Sequence, residues 1–367
     1  MTDHGTPPPL NPGSCRERQE KLRSLCRSLE LDGAFFWNRF YVYTLTGYWH
    51  AQPLTETAVW VPVEGDIVIA SHDETPVAPA ADQVLNYKPN DLFTLRENQS
   101  ACVMEVMNPV LTGAKTIGVD WTTPAALVEG PTCRDISIEY QHLRRSKDQD
   151  EIDALKFTID CADKAYAAGR EFIQPGVSEI DIMSTMRGAA ERAAGEILSG
   201  FGQDYKAGCP GGFAERRAVE SGQLICLDVG IGVRGYRSDL CRTFSIDRSP
   251  TNVQLEAHAR VMEAMAHAKS RIAPGVSCTE VFREVEAMLD GWNGCAFFHH
   301  LGHGIGLDAH EVPRINPGWN DTFEIGDVVA VEPGLYSDEL NGGIRLENNF
   351  WITENGLEQL SDFPMEL

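Results

Sequence analysis

The sequence has no run of about 18 apolar residues, the length a helix needs to cross a bilayer, so no membrane-spanning helix is expected. The N-terminus, MTDHGTPPPLNPGSCRERQ, lacks the apolar core of a signal peptide. Basic residues are few: 31 Lys and Arg stand against 54 Asp and Glu, a net charge of −23. Such a chain repels phosphate backbones and anionic lipid, which argues against nucleic acid or membrane as a partner. No two cysteines form a CxxC pair, and the ten thiols are spaced wrongly for structural zinc. Buried thiols in a reduced, cytoplasmic protein are expected.

What is present is a chain of 367 residues, 43% apolar and 8% aromatic, enough for two domains with a sizeable core. The Pro- and Gly-rich stretch 1–14 reads as a flexible tail. Residues 15–30 read as an amphipathic helix, and GAFFW, AVWVPV, DIVIAS and GAKTIGVDW as strands of an α/β unit spanning 15–146. The charge-rich stretch 144–151 marks a boundary and opens a long helix over roughly 148–172, the start of a second domain, 147–367.

That second part carries an internal repeat. The pattern I-x-P-G-V-S recurs at Ile173 and Ile272, 99 residues apart, each time after a helical stretch. Ser178 or Ser277 can then cap the next helix by accepting a backbone N–H bond. Each copy runs on to strands that end in a hairpin with two acids, the signature of a duplication. A site built between the halves would draw two carboxylates from each.

The first acidic pair is Asp228 and Asp239, in LDVGIGVRGYRSDLCRTF. A tight turn at Arg234-Gly235 predicts Asp228 opposite Cys241 and Gly230 opposite Asp239, with both acids on one face and Gly230 leaving room for metal. A strand as apolar as LICLDVG is buried, where an unpaired carboxylate is costly. Gly230, Gly232 and Gly235 also spell G-x-G-x-x-G, but a strand follows where a dinucleotide fingerprint needs a helix, so NAD is rejected. The second pair is Glu332, before Pro333-Gly334, and Glu347, two residues after Arg345 and pointing the same way. Arg345 has the geometry to orient a carboxylate bidentately. Between the pairs lies His303 in a glycine-rich stretch, with His299, His300 and His310 around it. Four carboxylates and an imidazole suit a pair of divalent cations such as Mn²⁺, Co²⁺, Zn²⁺ or Fe²⁺.

These motifs, with YVYTLTGY at 41–48, resemble the pita-bread metallopeptidases: Xaa-Pro dipeptidase (prolidase), aminopeptidase P and the creatinase-like enzymes. The resemblance covers nearly the whole chain, including the spacings of eleven from Asp228 to Asp239 and seven from His303 to His310. It implies an α+β fold: a creatinase/prolidase-type α/β N-terminal domain before a pita-bread domain of duplicated ααββ halves. It implies metal ligation by Asp228, Asp239, His303, Glu332 and Glu347, with an attacking hydroxide between two metals. Glu332 would also move the proton and His310 stabilise the intermediate, while His299, Arg314 and Arg345 would handle substrate. Arg314 falls where prolidase-like dipeptidases hold the substrate carboxylate, which favours an Xaa-Pro dipeptidase over aminopeptidase P. A homodimer is implied, with Trp49-His50 a candidate to reach the partner's site.

One departure stands out. The family places a Pro-His pair about seventeen residues before the first ligand Asp; here Pro210 is followed by Gly211, with Cys209 and Tyr205 as the nearby side chains that could stand in. The alternative reading is therefore a pita-bread enzyme acting on a non-peptide small molecule, by C–N hydrolysis or a lyase step.

Overall fold

The computed structural model describes residues 5–51, 55–72, 80–88 and 98–367. It divides into two compact units, Pro9–Arg144 and Arg145–Leu367, the latter with the chain's first residues up to Pro8.

The Pro9–Arg144 unit runs α1 (Pro12–Ser28), β1 (Gly33–Phe36), α2 (Arg39–Thr46), β2 (Ala58–Pro62), β3 (Val68–Ser71), β4 (Gln83–Asn86), α3 (Gln99–Leu111), β5 (Thr116–Val119), β6 (Thr132–Asp135) and α4 (Ser137–Leu143). The strands form one mixed sheet in the order β4-β3-β2-β1-β5-β6. The inner strands β1 and β2 are buried at every position, so they read as continuous apolar runs rather than alternating ones. Phe35, Trp60, Val103, Met107 and Ile117 fill the core beneath α3, each contributing about 1.5–3 kcal/mol by burial.

One expectation is corrected in this unit. Of the stretch 1–14 read as a tail, residues 1–4 lie outside the described residues, and residues 12–14 are helical. Asn11 Oδ1 accepts from Gly13 N at 2.7 Å, and Pro12 sits in the first turn, where its missing N–H costs nothing. Trp49-His50 packs within its own unit. His50 is buried between the Tyr48 hydroxyl (3.3 Å) and Thr55 Oγ1 (2.6 Å), and the Trp49 ring stacks on Phe40.

The Arg145–Leu367 unit starts with α5 (Gln149–Phe172) and α6 (Glu179–Ala194), then β7 (Leu224–Asp228), β8 (Gly232–Val233), β9 (Tyr236–Arg237) and β10 (Cys241–Ser245). It continues with α7 (Asn252–Arg271), α8 (Cys278–Leu289), β11 (Gly302–Gly304), β12 (Glu311–Ile315), β13 (Val328–Val331), β14 (Gly334–Ser337), β15 (Gly342–Arg345), β16 (Asn348–Thr353) and β17 (Gly356–Gln359). The long helices of both halves open with capping boxes, Asp148 with Glu151 and Thr251 with Gln254. Both end at the I-x-P-G-V-S turn. Gly176 (φ +94°) and Gly275 (φ +83°) adopt a conformation that side chains disfavour. Ser178 Oγ then accepts from Asp181 N and Ser277 Oγ from Glu280 N.

Each half has its own core. Ile159, Tyr166, Ile182, Met186, Ile225 and Leu227 pack in the first. Val261, Met265, Val281, Val285, Val331 and Phe350 pack in the second. The first hairpin is interrupted: β7 pairs with β10 and β8 with β9, in separate two-stranded sheets. The break falls at Val229, whose N–H reaches Leu240 O (3.0 Å) and the Tyr166 hydroxyl (3.2 Å). Tyr166 thus satisfies the backbone where the chain bends, and the bend sets the direction of Asp228. The second half forms a five-stranded sheet in the order β12-β11-β13-β16-β17. A bridge between Cys241 and Glu347, with Glu347 N donating to Cys241 O at 3.0 Å, joins the halves.

Candidate metal centre

Asp228 ends β7 opposite Cys241, the register expected from the sequence, and Arg234 and Gly235 both have positive φ at the turn. Asp239 is therefore a diagonal neighbour of Asp228 on the same face. Gly230 lines the cleft beside these acids, and a Cβ there would stand 3.2 Å from Asp239 Oδ1. Asn349, two residues beyond Glu347 on β16, clamps Asp239. Its Oδ1 accepts from Asp239 N at 3.1 Å, and its amide donates to Asp239 O.

His303 sits in β11, between β12 and β13. Its flanking glycines admit close neighbours: a Cβ at Gly302 would lie 2.0 Å from Ala330 O, and one at Gly304 2.1 Å from Val312 O. Nδ1 donates to Gly304 O at 3.0 Å, which leaves Nε2 with a free lone pair. Nε2 faces Asp239 Oδ2 at 3.7 Å and Glu332 Oε1 at 3.6 Å. Such separations suit ligands each about 2.0–2.2 Å from a common ion. Glu332 follows β13 and also approaches His300 Nδ1 (3.3 Å) and His299 Nδ1 (3.8 Å). His299 is fixed at both nitrogens, by His300 O at 2.7 Å and the Tyr336 hydroxyl at 2.8 Å. The His310 ring stacks on His303, with centroids 3.9 Å apart and planes 12° from parallel.

Three groups of donors converge, with their ligand atoms within 4.8 Å of one another: Asp228–Asp239–Glu347, His303–Glu332–Glu347 and Asp239–His303–His310. Glu347 Oε2 is buried with no hydrogen-bond partner, an orphan of the kind a cation satisfies. The electrostatics agree. Burial, then mutual repulsion, pushes the carboxyls of Asp239 and Glu347 well above the usual range. The same causes act on Glu332. Burial also raises Asp228, though Arg345 opposes it. Burial lowers the imidazoles, His299 to about 3 and His300 to about 4, so they are neutral donors at neutral pH. Carboxyls whose ionised form burial and crowding disfavour become good ligands once a cation supplies the missing charge. The residues present fit divalent cations in kind and arrangement.

A cleft of about 330 Å³ opens onto these groups, lined also by Phe201, Gln203, Asp204, Arg237, His299, His300, His310 and Arg345. Arg345 differs from expectation. It does not grip one carboxylate with both arms; Nη2 is shared between Asp228 Oδ2 (3.1 Å) and Asp204 Oδ2. Arg314 pairs in register with His303, but its guanidinium lies over the Trp319 ring (4.1 Å) and 3.8 Å from Asp321, outside the cleft lining. Neither Tyr205 nor Cys209 lines the cleft. Asp204, Tyr336 and Asn349 join the site without a sequence motif that marks them. Asn349, two residues beyond Glu347, is open to period-two reasoning; Asp204 and Tyr336 carry no pattern.

A two-fold repeat around converging carboxylates and one imidazole defines a hydrolase of the pita-bread metallopeptidase class. The chain belongs to metallopeptidase family M24, whose description it matches over residues 153–354. It is 28% identical to the Xaa-Pro dipeptidase of Pyrococcus furiosus over 96% of this chain and 99% of that protein. The crystal structure of the prolidase from Pyrococcus furiosus superposes with a TM-score of 0.75 at 25% identity, over 94% of this chain and 100% of the other. The X-Pro aminopeptidase from Thermotoga maritima superposes with a TM-score of 0.75 at 23% identity, over 95% and 98%, and shares the fold.

Proposed function

We propose that this protein is a two-metal Xaa-Pro dipeptidase-type hydrolase, its ions held by Asp228, Asp239, His303, Glu332 and Glu347. The convergence of these five side chains, from both halves of the repeat, carries the reading. Divalent ions there would polarise the scissile carbonyl and make water nucleophilic near neutral pH. The chain's own groups do the rest. Glu332, buried and 3.3 Å from His300 Nδ1, is the carboxylate placed to take a proton from water and pass it to the leaving nitrogen. His310, on the cleft wall, donates to the substrate oxygen, while His299, held by His300 O and the Tyr336 hydroxyl, orients the substrate by shaping the wall beside it. Arg314, if it leaves Trp319, supplies the cation for the substrate's free carboxylate. The full relative shares Xaa-Pro dipeptidase chemistry by name, which supports a dipeptide as substrate.

The test is a panel of Xaa-Pro dipeptides, matched dipeptides without proline, and longer peptides, run with Mn²⁺, Co²⁺ or Zn²⁺ and again after chelation. Metal-dependent cleavage confined to Xaa-Pro dipeptides is expected. Two bound ions with no cleavage of any peptide would sink the proposal in favour of a non-peptide substrate.

A further inference from the structure

Asp204 lies between α6 and β7, in a segment without regular structure of its own, yet it is paired with Asp228. Asp228 N donates to Asp204 O at 3.2 Å and Asp204 N to Asp228 O at 3.4 Å. Residues that exchange both bonds across an antiparallel pair present their side chains to one face, about 5 Å apart, where like charges repel. Arg345 resolves the repulsion by touching both carboxylates through Nη2. Asp204 Oδ1 also accepts from Gly212 N at 3.0 Å, and Tyr205 N from the same segment donates to Gly212 O at 2.8 Å, closing the loop beneath. A Cβ at Gly211 would stand 2.5 Å from Asp204 Oδ2. The room beside residue 211 is filled by this carboxylate.

The charge count gives the arrangement a purpose. Four ligand carboxylates balance two divalent cations. Arg345, in contact with Asp228, adds a positive charge that opposes the ions. Arg237 also lines the cleft and acts by charge on Asp239, whereas Arg345 is the cation that touches Asp228 itself.

We propose that Asp204 is a positioning residue of the metal centre: it takes up the charge of Arg345, so that Asp228 and its neighbours bind cations at full strength. This rests on the metal-centre reading above, and is tested without substrate. Chelator-stripped protein is titrated calorimetrically with Mn²⁺ and with Co²⁺, as wild type, Asp204→Asn, Asp204→Glu and the double variant Asp204→Asn/Arg345→Gln. Asp204→Asn should bind about 10–100-fold more weakly, the range for partners that orient ligands. Asp204→Glu should recover part of the loss and the double variant most of it, because it removes the unbalanced cation. Wild-type affinity in Asp204→Asn, or an equal loss in the double variant, overturns the inference. Should Asp204→Asn not fold, Gly211→Ala displaces the carboxylate while keeping it; the same weakening is expected, and unchanged affinity overturns the inference. A wild-type chain that binds no metal defeats the metal-centre reading and this inference together; failure of Asp204→Asn alone defeats only the inference.

Discussion

The two halves of the Arg145–Leu367 unit begin alike and end differently. Each starts with a boxed helix, breaks at the same I-x-P-G-V-S turn, and caps the next helix with the same serine. The backbone beyond the turns is also matched. Gly176 N and Gly275 N donate to Val219 O and Phe323 O, and Val219 N and Phe323 N donate back to Val177 O and Val276 O. The connections from second helix to acidic strands then diverge. In the first half the connection carries Asp204, while in the second it carries His299, His300, His303 and His310. A duplicated frame holds carboxylates in place, and the segments between the second helix and the acidic strands supply the imidazoles on one side and the charge-balancing acid on the other.

The comparison breaks first where each half commits a ligand. Asp239→Asn removes a first-half donor shared by two of the three ligand groups. Hydrolysis should fall by more than the ~10²–10³ typical of losing one transition-state donor, and metal analysis should show less than the wild-type content. Next comes the imidazole that only the second half provides. His310→Gln should lower kcat by about 10²–10³ with little change in KM if it stabilises the reacting oxygen. Lost metal content would instead make it a ligand, as its grouping with Asp239 and His303 allows.

Glu347→Gln separates stability from function. The Glu347 carboxyl is raised by burial and by Asp239, Asp228 and Glu332. A carboxyl raised on folding stabilises below its unfolded value, near 4.3, and that stability is lost as pH rises through its folded value. In metal-free protein the substitution should therefore raise stability at neutral pH by about 1–3 kcal/mol. The gain should shrink towards zero near pH 4 in thermal melts, and added metal should reverse it, because only wild type binds fully. Smallest of all, Gly176→Ala and Gly275→Ala each force a side chain to φ +94° or +83° with nothing else within 4 Å. Each should cost about 1–2 kcal/mol and leave metal affinity alone. Unequal costs would show that the two turns are not equivalent.

Local patterns were the legible part of the molecule. Alternation and turn chemistry placed Asp228 opposite Cys241, and the repeat announced a two-fold frame. The long helix was readable to within a residue, Gln149–Phe172, because acids and an amphipathic period mark its start. What escaped depends on contacts between distant segments. Asp204 meets Asp228 through a bridge rather than a strand, so no periodicity reveals it. Arg345 stands two residues before Glu347, but its partners are set by residues far away in sequence. Arg314 shares a register position with His303, yet Trp319 and Asp321 draw its guanidinium aside, and nothing in HEVPR foretells that.

The Asp204–Asp228 pairing also bears on the order in which the chain is made. Synthesis proceeds from the N-terminus and domains tend to fold as they emerge. Both acids leave the ribosome well before Arg345. A nascent first half that closed its hairpin early would hold two facing carboxylates with no cation between them, a repulsive arrangement. Emergence of the second half brings the guanidinium together with His303, Glu332 and Glu347. The guanidinium that relieves the pair therefore arrives only with the second half, so the charge balance of the first half's acidic hairpin depends on a residue made more than a hundred positions later.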